Sequence, residues 1–344
     1  MSPSRISCCM ISVSGMFSIV IAIISVPLLV LMKPSSLRIR GFSDTLKTIW
    51  RYRWQWLVFF IMLRLKNLVD YLNNPIRHTL GLNFTGFIYA IEGDAVLKIQ
   101  QLFENDILTV VLGMNYLGGY ILMGFFGILL VSYCDNWRLA SRTSLNYFMI
   151  YLLAIPLYLF FPVDVTSNYI PEMKPLLYRL SPGFNYFFMG ADPLDNCIPS
   201  LHIGLPLGLL LSVFAESRRQ QPKKIKDYRG FMLFVLVQIV VFSFSILYLG
   251  VHWIIDIFAG MAIGVAGAWA NDRYADRLFY ALDRFERNYI RAGLRKIRWF
   301  SKLSPFTANE NNAVVPGETG SFFKTLYYGC DCGKCEDGDC GQRE

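Results

Sequence analysis

Two histidines and one aspartate have the spacing expected of a site that moves phosphoryl groups. His202 ends the motif Pro-Ser-Leu-His at residues 199–202, and His252 lies fifty residues further along, four residues before Asp256. Side chains at positions i and i+4 share one face of a helix. We therefore expect His252 to open a helix in which Asp256 accepts a hydrogen bond from one ring nitrogen and leaves the other nitrogen free for attack.

An anion pocket is predicted beside the first histidine. Pro199 suits the first turn of a helix, and Ser200 would place a hydroxyl next to backbone N–H groups that have no partner within that helix. The start of a helix is a favourable place for a phosphate, because its N–H groups and its dipole both attract negative charge. Together the two motifs indicate phosphoryl transfer.

The same residues resemble a known family. Pro-Ser-Leu-His at 199–202 and Gly-Val-His-Trp-Ile-Ile-Asp-Ile-Phe-Ala-Gly at 250–260 are similar to the second and third signatures of the type 2 phosphatidic acid phosphatase superfamily. The resemblance covers roughly residues 145–270. It implies that His202 protonates the leaving group, that His252 is the nucleophile and forms a phosphohistidine, and that Asp256 orients it. This chemistry implies neither a metal nor a cofactor.

The sequence also departs from the family pattern. The family has Ser-Arg shortly before the nucleophile, and this chain has Ser245 and Ile246 there. The first family signature, a lysine followed by Arg-Pro, is absent. The stretch at 247–252 is similar to an inositol phosphorylceramide synthase-like branch that also lacks the arginine. This likeness favours a transferase or an unusual phosphatase over an ordinary phosphatidate phosphatase.

A replacement for the missing arginine is needed, because a phosphoryl group in transfer requires positive charge around its oxygens. The nearest basic residues are Lys174 and Arg179, in the loop before Pro199. We predict that they bind the phosphate together with Ser200 and the helix start. No other cation lies in this loop.

The composition predicts a membrane protein. The chain of 344 residues is 54% hydrophobic with a mean hydropathy of +0.39, and its apolar residues form blocks that suit membrane spans. The predicted spans are 11–32, 54–72, 107–132, 147–161, 199–215, 231–249 and 252–270. The expected fold is an all-α, polytopic membrane helix bundle, with a six-helix phosphatase-type core and one N-terminal transmembrane helix. The first block is predicted to be retained.

The net charge of +8 does not indicate nucleic acid binding, because the basic residues lie between the hydrophobic blocks. The loops at 33–53, 134–146 and 216–229 are basic, and the positive-inside rule assigns them to the cytoplasm. Both histidines then fall on the opposite side. We expect a multi-pass protein of the cell membrane whose site faces the extracytoplasmic side.

Four regions are predicted along the chain. Residues 1–53 hold the first helix and a basic linker, 54–270 the catalytic membrane domain, 271–300 a basic amphipathic interfacial helix and 301–344 a disordered tail. Within the second region, residues 73–106 are expected to lie along the membrane interface.

The cysteines leave two interpretations open. The tail carries four of them in a short stretch, which could close a zinc site or remain free thiols. These residues are Cys330, Cys332, Cys335 and Cys340. Cys197 lies beside the predicted site, but the phosphohistidine route needs no thiol, so we interpret it as a packing residue.

The predicted function is that of a lipid phosphatase or phosphotransferase with a lipid phosphate or phospholipid as substrate. Water as acceptor makes the enzyme a phosphatase, and a lipid or sugar hydroxyl makes it a transferase. The alternative is a catalytically silent lipid carrier or scaffold, which the missing arginine keeps open. The sequence favours no particular oligomeric state.

Overall fold

Helices make up most of the structure, and the described residues contain no strand. The computed structural model describes residues 24–25, 27–32, 42–134, 136–179, 194, 196–219 and 221–291. The helices that position the site are α1 Phe42–Arg51, α2 Arg53–Leu80, α3 Thr85–Glu92, α4 Ala95–Phe103, α5 Asp106–Met114, α6 Tyr120–Tyr133, α7 Trp137–Phe160, α8 Leu201–Arg219, α9 Gln221–Tyr248 and α10 Ile254–Phe285. A π-helical turn, Asn115–Gly119, joins α5 to α6.

Four helical segments of the described chain are long and apolar enough to cross a membrane. They are Asp106–Tyr133, Trp137–Phe160, Tyr228–Tyr248 and Ile254–Tyr289. They confirm the predicted all-α, polytopic membrane helix bundle.

Three predicted spans do not belong to this set of four. The second and fifth predicted spans are helices α2 and α8, of 28 and 19 residues, and both carry charged side chains within their length. Of the first predicted span, only residues 24–25 and 27–32 are described, and these are helical. The rest of that span and the tail at 301–344, with its four cysteines, lie outside the described residues.

Two helices extend beyond their predicted limits. Helix α7 begins at Trp137 instead of 147, because Asn136 caps it by accepting a hydrogen bond from the Leu139 N–H at 3.0 Å. Arg142, predicted to lie in a cytoplasmic loop, is therefore helical and buried. Helix α10 continues through residue 270, where the sequence predicted a change from membrane span to interfacial helix.

A buried ionic cluster compensates the charges of the two arginines near the start of α7. The guanidinium of Arg142 pairs with Glu216 and lies 3.3 Å from both Asp272 and Asp276. Arg219 pairs with Asp272, and Arg138 pairs with Asp276 at 3.0 Å. Three arginines and three carboxylates of α7, α8 and α10 thus neutralise one another, so that no charge in this cluster is left without an opposite charge.

At their other end, α8 and α10 approach each other through glycines. A Cβ atom added at Gly260 would lie 2.5 Å from the Ser200 carbonyl oxygen, and one at Gly264 would lie 2.8 Å from the Gly204 carbonyl oxygen. Backbone therefore contacts backbone at this crossing, because small residues let two membrane helices approach closely. The crossing fixes the distance between the two histidine motifs.

We expect Gly260→Ala to destabilise the protein, because the new methyl group meets backbone that cannot rotate away. Overpacking of this kind costs about 1–3 kcal/mol of unfolding free energy. Thermal unfolding in detergent measures the effect, with Gly230→Ala as the matched control, since a Cβ at Gly230 meets no atom within 4 Å. Equal melting temperatures for the two variants would show that the helices can separate at little cost.

Candidate active site

His252 and Asp256 form a hydrogen-bonded pair. The distance between His252 Nδ1 and Asp256 Oδ2 is 2.8 Å, and both side chains are buried. The predicted helix start was wrong by two residues, because α10 begins at Ile254 and leaves His252 in the chain leading to it. The pair still forms, since Asp256 lies in the first turn and Oδ2 also accepts the Trp253 backbone N–H at 2.9 Å.

A tight turn delivers His252 to this position. Gly250 has φ +80°, and a Cβ atom there would lie 2.9 Å from Ser167 Cβ and 3.1 Å from the Lys174 carbonyl oxygen. Only glycine satisfies both the backbone conformation and the close approach. The His252 N–H then donates to the Ile246 carbonyl oxygen at 3.0 Å. The last turn of α9 therefore holds the backbone of His252 in place.

Ser200 lies next to the second ring nitrogen of His252. The distance between Ser200 Oγ and His252 Nε2 is 3.5 Å. The Ser200 N–H donates to the Asp256 carbonyl oxygen at 3.2 Å, which ties the two motifs together through the backbone. Helix α8 begins at Leu201, so Pro199, predicted in its first turn, precedes the helix instead. A cis peptide bond joins Ile198 to Pro199.

His202 lies in the first turn of α8 between two tyrosine rings. Its ring centroid is 3.9 Å from that of Tyr116 and 4.3 Å from that of Tyr120. Its Nε2 is 3.2 Å from the Tyr116 carbonyl oxygen. The rings of His202 and His252 are 6.4 Å apart between centroids. The structure thus brings together His202, His252, Asp256 and Ser200.

The sequence alone does not mark these two tyrosines as residues of the site. Tyr116 belongs to the π-helical turn Asn115–Gly119, and such turns are frequent at functional sites. Tyr116 and Tyr120 are four residues apart, which places both rings on one face of the third predicted span. No motif marked them, because aromatic residues are common throughout this chain.

The two predicted phosphate-binding cations lie on the same loop but are exposed. The Lys174 ammonium pairs with Glu104, while the Lys174 backbone N–H and carbonyl both bond to the side chain of Gln100. Arg179 ends a short 3-10 turn, Leu177–Arg179. The Leu177 N–H donates to the Leu249 carbonyl oxygen at 3.5 Å, so this loop packs against the turn that leads to His252.

Two short consecutive helices, α3 and α4, support the site from outside the long helices. Glu92 at the end of α3 accepts hydrogen bonds from the N–H groups of Ile254 and Ile255. Burial raises the pKa of the Glu92 carboxyl, although these two hydrogen bonds oppose that shift. Gln100 of α4 donates to the carbonyl oxygens of Lys174 and Tyr248, each at 2.9 Å. From the sequence, this segment is expected only to lie along the membrane interface, and neither Glu92 nor Gln100 has a predicted role.

Three side chains at the site carry atoms that metals bind. Ligand atoms of Cys197, His252 and Asp256 all lie within 4.8 Å of one another. However, the Cys197 thiol donates to the Val251 carbonyl oxygen at 3.3 Å, and the other two residues bond to each other. The contacts of this set therefore fit a histidine–aspartate pair braced by a thiol.

Comparison with known proteins gives one match. Residues 148–279 match the family model described as the PAP2 superfamily. The matched stretch includes Ser200, His202, His252 and Asp256. This match confirms the superfamily resemblance over that stretch, which is under half of the chain. No curated protein and no solved structure matches significantly. The inositol phosphorylceramide synthase-like branch stays a prediction.

Proposed function

We propose that this protein is an integral-membrane lipid phosphatase or phosphotransferase that works through a phosphohistidine on His252. One observation carries the proposal. Asp256 holds Nδ1 of His252, while Nε2 lies beside Ser200 and within reach of the region that His202 borders. A nucleophile that a neighbouring carboxylate orients and activates is an arrangement that covalent catalysis uses.

The proposed reaction has two displacement steps. In the first, Nε2 of His252 attacks phosphorus, the ester P–O bond breaks, and His202 gives its proton to the departing alkoxide. In the second, His202 takes a proton from the acceptor hydroxyl or water, whose oxygen attacks phosphorus and breaks the P–N bond. Asp256 stabilises the positive ring of His252 between the two steps.

A cavity beside His202 supports a lipid substrate. It has a volume of about 90 Å³ and lies between α2, α6, α7 and α8. Tyr120 belongs both to its wall and to the aromatic pair around His202, and Leu205 and Pro206 line it one turn deeper along α8. Lys66 is the one charged residue of the wall and has an interaction partner within the protein. Its apolar wall suits part of a hydrocarbon chain better than a soluble phosphate ester, and its volume is below the roughly 300–1,000 Å³ of a pocket that holds a whole ligand.

The side of the membrane is proposed from charge. The basic loops of the sequence assign the start of α8 to the extracytoplasmic side, and the ionic cluster with its three arginines lies at the opposite end of the same helix. We accordingly propose an extracytoplasmic site on a protein of the cell membrane.

Lys174, Arg179 and Ser200 are proposed to bind the phosphate, with Ile246 in place of the family's arginine. We expect Lys174→Ala and Arg179→Ala to lower turnover by about 10²–10³-fold if each supplies a transition-state charge contact. Turnover of a lipid phosphate measures this, and Lys98→Ala on α4 is the control, because Lys98 is also an exposed cation of this side. Full turnover in both loop variants would mean that backbone N–H groups and Ser200 hold the phosphate alone.

A direct assay tests the function. The purified protein is offered polyprenyl, glycerol and inositol phospholipids, and free phosphate and transferred products are both measured, along with acid-labile label on the protein. Free phosphate identifies a phosphatase, and a phosphorylated or head-group-bearing acceptor identifies a transferase. A protein that takes up no label and forms neither product would instead be a silent carrier or scaffold.

A further inference from the structure

The carboxylate of Glu92 lies at the start of the helix that follows the proposed nucleophile. Its Oε2 accepts the Ile254 N–H at 2.8 Å, and its Oε1 accepts the Ile255 N–H at 2.6 Å. The first N–H groups of a helix have no partner within that helix, and negative charge at this end is favourable. Glu92 comes from α3, more than 160 residues earlier in the chain, so the contact is a tertiary one.

Glu92 and Asp256 divide the N–H donors of this region between them. Asp256 Oδ2 accepts from His252 Nδ1 and from the Trp253 N–H, while Glu92 takes the next two N–H groups. Asp256 Oδ1 is buried and has no hydrogen-bond partner among the described residues. Asp256 is therefore free to turn toward other donors if any become available.

We propose that Glu92 is a positioning residue that keeps Asp256 bonded to His252. Without Glu92, the N–H groups of Ile254 and Ile255 lose their acceptor and compete for the carboxylate of Asp256, which lies in the same helical turn. The His252 ring then loses its fixed orientation and tautomer. This inference rests on the proposed function, because it assigns Glu92 a part in preparing the proposed nucleophile.

The surroundings of Glu92 favour a fixed position for this carboxylate. The Trp253 indole Nε1 donates to the Asp164 carbonyl oxygen at 2.9 Å, and its ring contacts those of Tyr89 and Tyr169. Tyr89 is three residues before Glu92 on α3, so the ring contact and the two hydrogen bonds join α3 to three consecutive residues, Trp253 to Ile255. Helix α3 thus holds the stretch of chain that immediately precedes Asp256.

Kinetics with matched variants test the proposal. Glu92→Ala is expected to lower kcat by about 10²-fold, as small misplacements of catalytic groups do, and to leave KM within about twofold. Glu92→Gln keeps one acceptor oxygen and should recover part of the loss. Asp106→Ala and Asp106→Asn are the controls, because Asp106 is an exposed carboxylate in the first turn of α5 and has no part in the contacts between α3 and the start of α10. Wild-type kcat in a folded Glu92→Ala would overturn the proposal.

A second readout does not depend on turnover. The chain has only three histidines, so nitrogen NMR of ¹⁵N-histidine-labelled protein resolves their rings, and His252→Gln assigns one of them. The wild-type His252 ring should show one tautomer protonated at Nδ1, and Glu92→Ala should show a mixture. If the wild-type protein showed no turnover while Glu92→Ala still altered the His252 ring signal, the proposed function would be refuted. The positioning of Asp256 and His252 by Glu92 would still be supported.

If Glu92→Ala does not fold, Glu92→Gln alone tests the proposal. A kcat several-fold below wild type at unchanged KM, together with an altered His252 ring signal, supports the proposal. A Glu92→Gln protein that matches Asp106→Asn in both measurements contradicts it.

Discussion

His252→Ala is expected to abolish both turnover and phosphoenzyme formation. The imidazole is the group that would form the covalent bond to phosphorus, and its Nε2 faces the serine of the other motif. No other ring nitrogen in the described site is held by a carboxylate. Turnover of a lipid phosphate and acid-labile label on the protein are followed in parallel.

The other members of the site should fail differently. Asp256→Asn keeps the shape of the side chain but can donate toward Nδ1 and so favour the wrong tautomer, a change that costs about 10⁴-fold in a comparable catalytic triad. His202→Ala should be poor on lipid phosphate esters but retain more activity on an aryl phosphate, whose leaving group needs little protonation. If His202→Ala lost equal activity on both substrates while His252→Ala still took up label, the two roles would have to be exchanged.

Arg142→Ala is expected to cause the largest loss of stability. The side chain is buried and lies among Glu216, Asp272 and Asp276, so its removal leaves three carboxylates with two arginines. Breaking a buried ion pair from one side costs about 3–5 kcal/mol of unfolding free energy. Thermal unfolding in detergent measures the loss.

Two further variants separate burial from charge. Lys47→Ala removes one partner of the exposed ion pair with Asp44, and surface pairs of this kind contribute little. The double variant Arg142→Leu with Glu216→Leu removes one charge of each sign and should be more stable than Arg142→Ala. An Arg142→Ala protein no less stable than Lys47→Ala would mean that water reaches the cluster.

The sequence was sufficient to predict the helical class and the grouping of the two motifs. His252 and Asp256 pair as the four-residue spacing indicated. This signal is local, because it depends on residues that are neighbours along the chain. Apolar blocks are likewise visible in any window of membrane length.

The missed features depend on contacts between distant parts of the chain. Arg142 suggested a cytoplasmic loop, since nothing in the sequence shows that carboxylates from α8 and α10 surround it. Glu92 lies 162 residues before its partner Ile254, and Tyr116 lies 86 residues before its partner His202, so no local stretch of sequence shows either contact. Helix starts were misplaced by two residues at both motifs, because a histidine or proline before a helix looks the same as one within it.

The ionic cluster and the glycine crossing together have a mechanical consequence. Helix α8 is fastened to α10 at both ends, by charges near Glu216 and by backbone contact near Gly204, and α7 shares the charged end. These three helices should therefore move as a single block. For the proposed lipid substrate, we expect the hydrocarbon chain to enter where the other wall gives way, which is the side of α2 and α6 that borders the cavity. Spin labels across that side should report variable distances, while pairs within the block should report one.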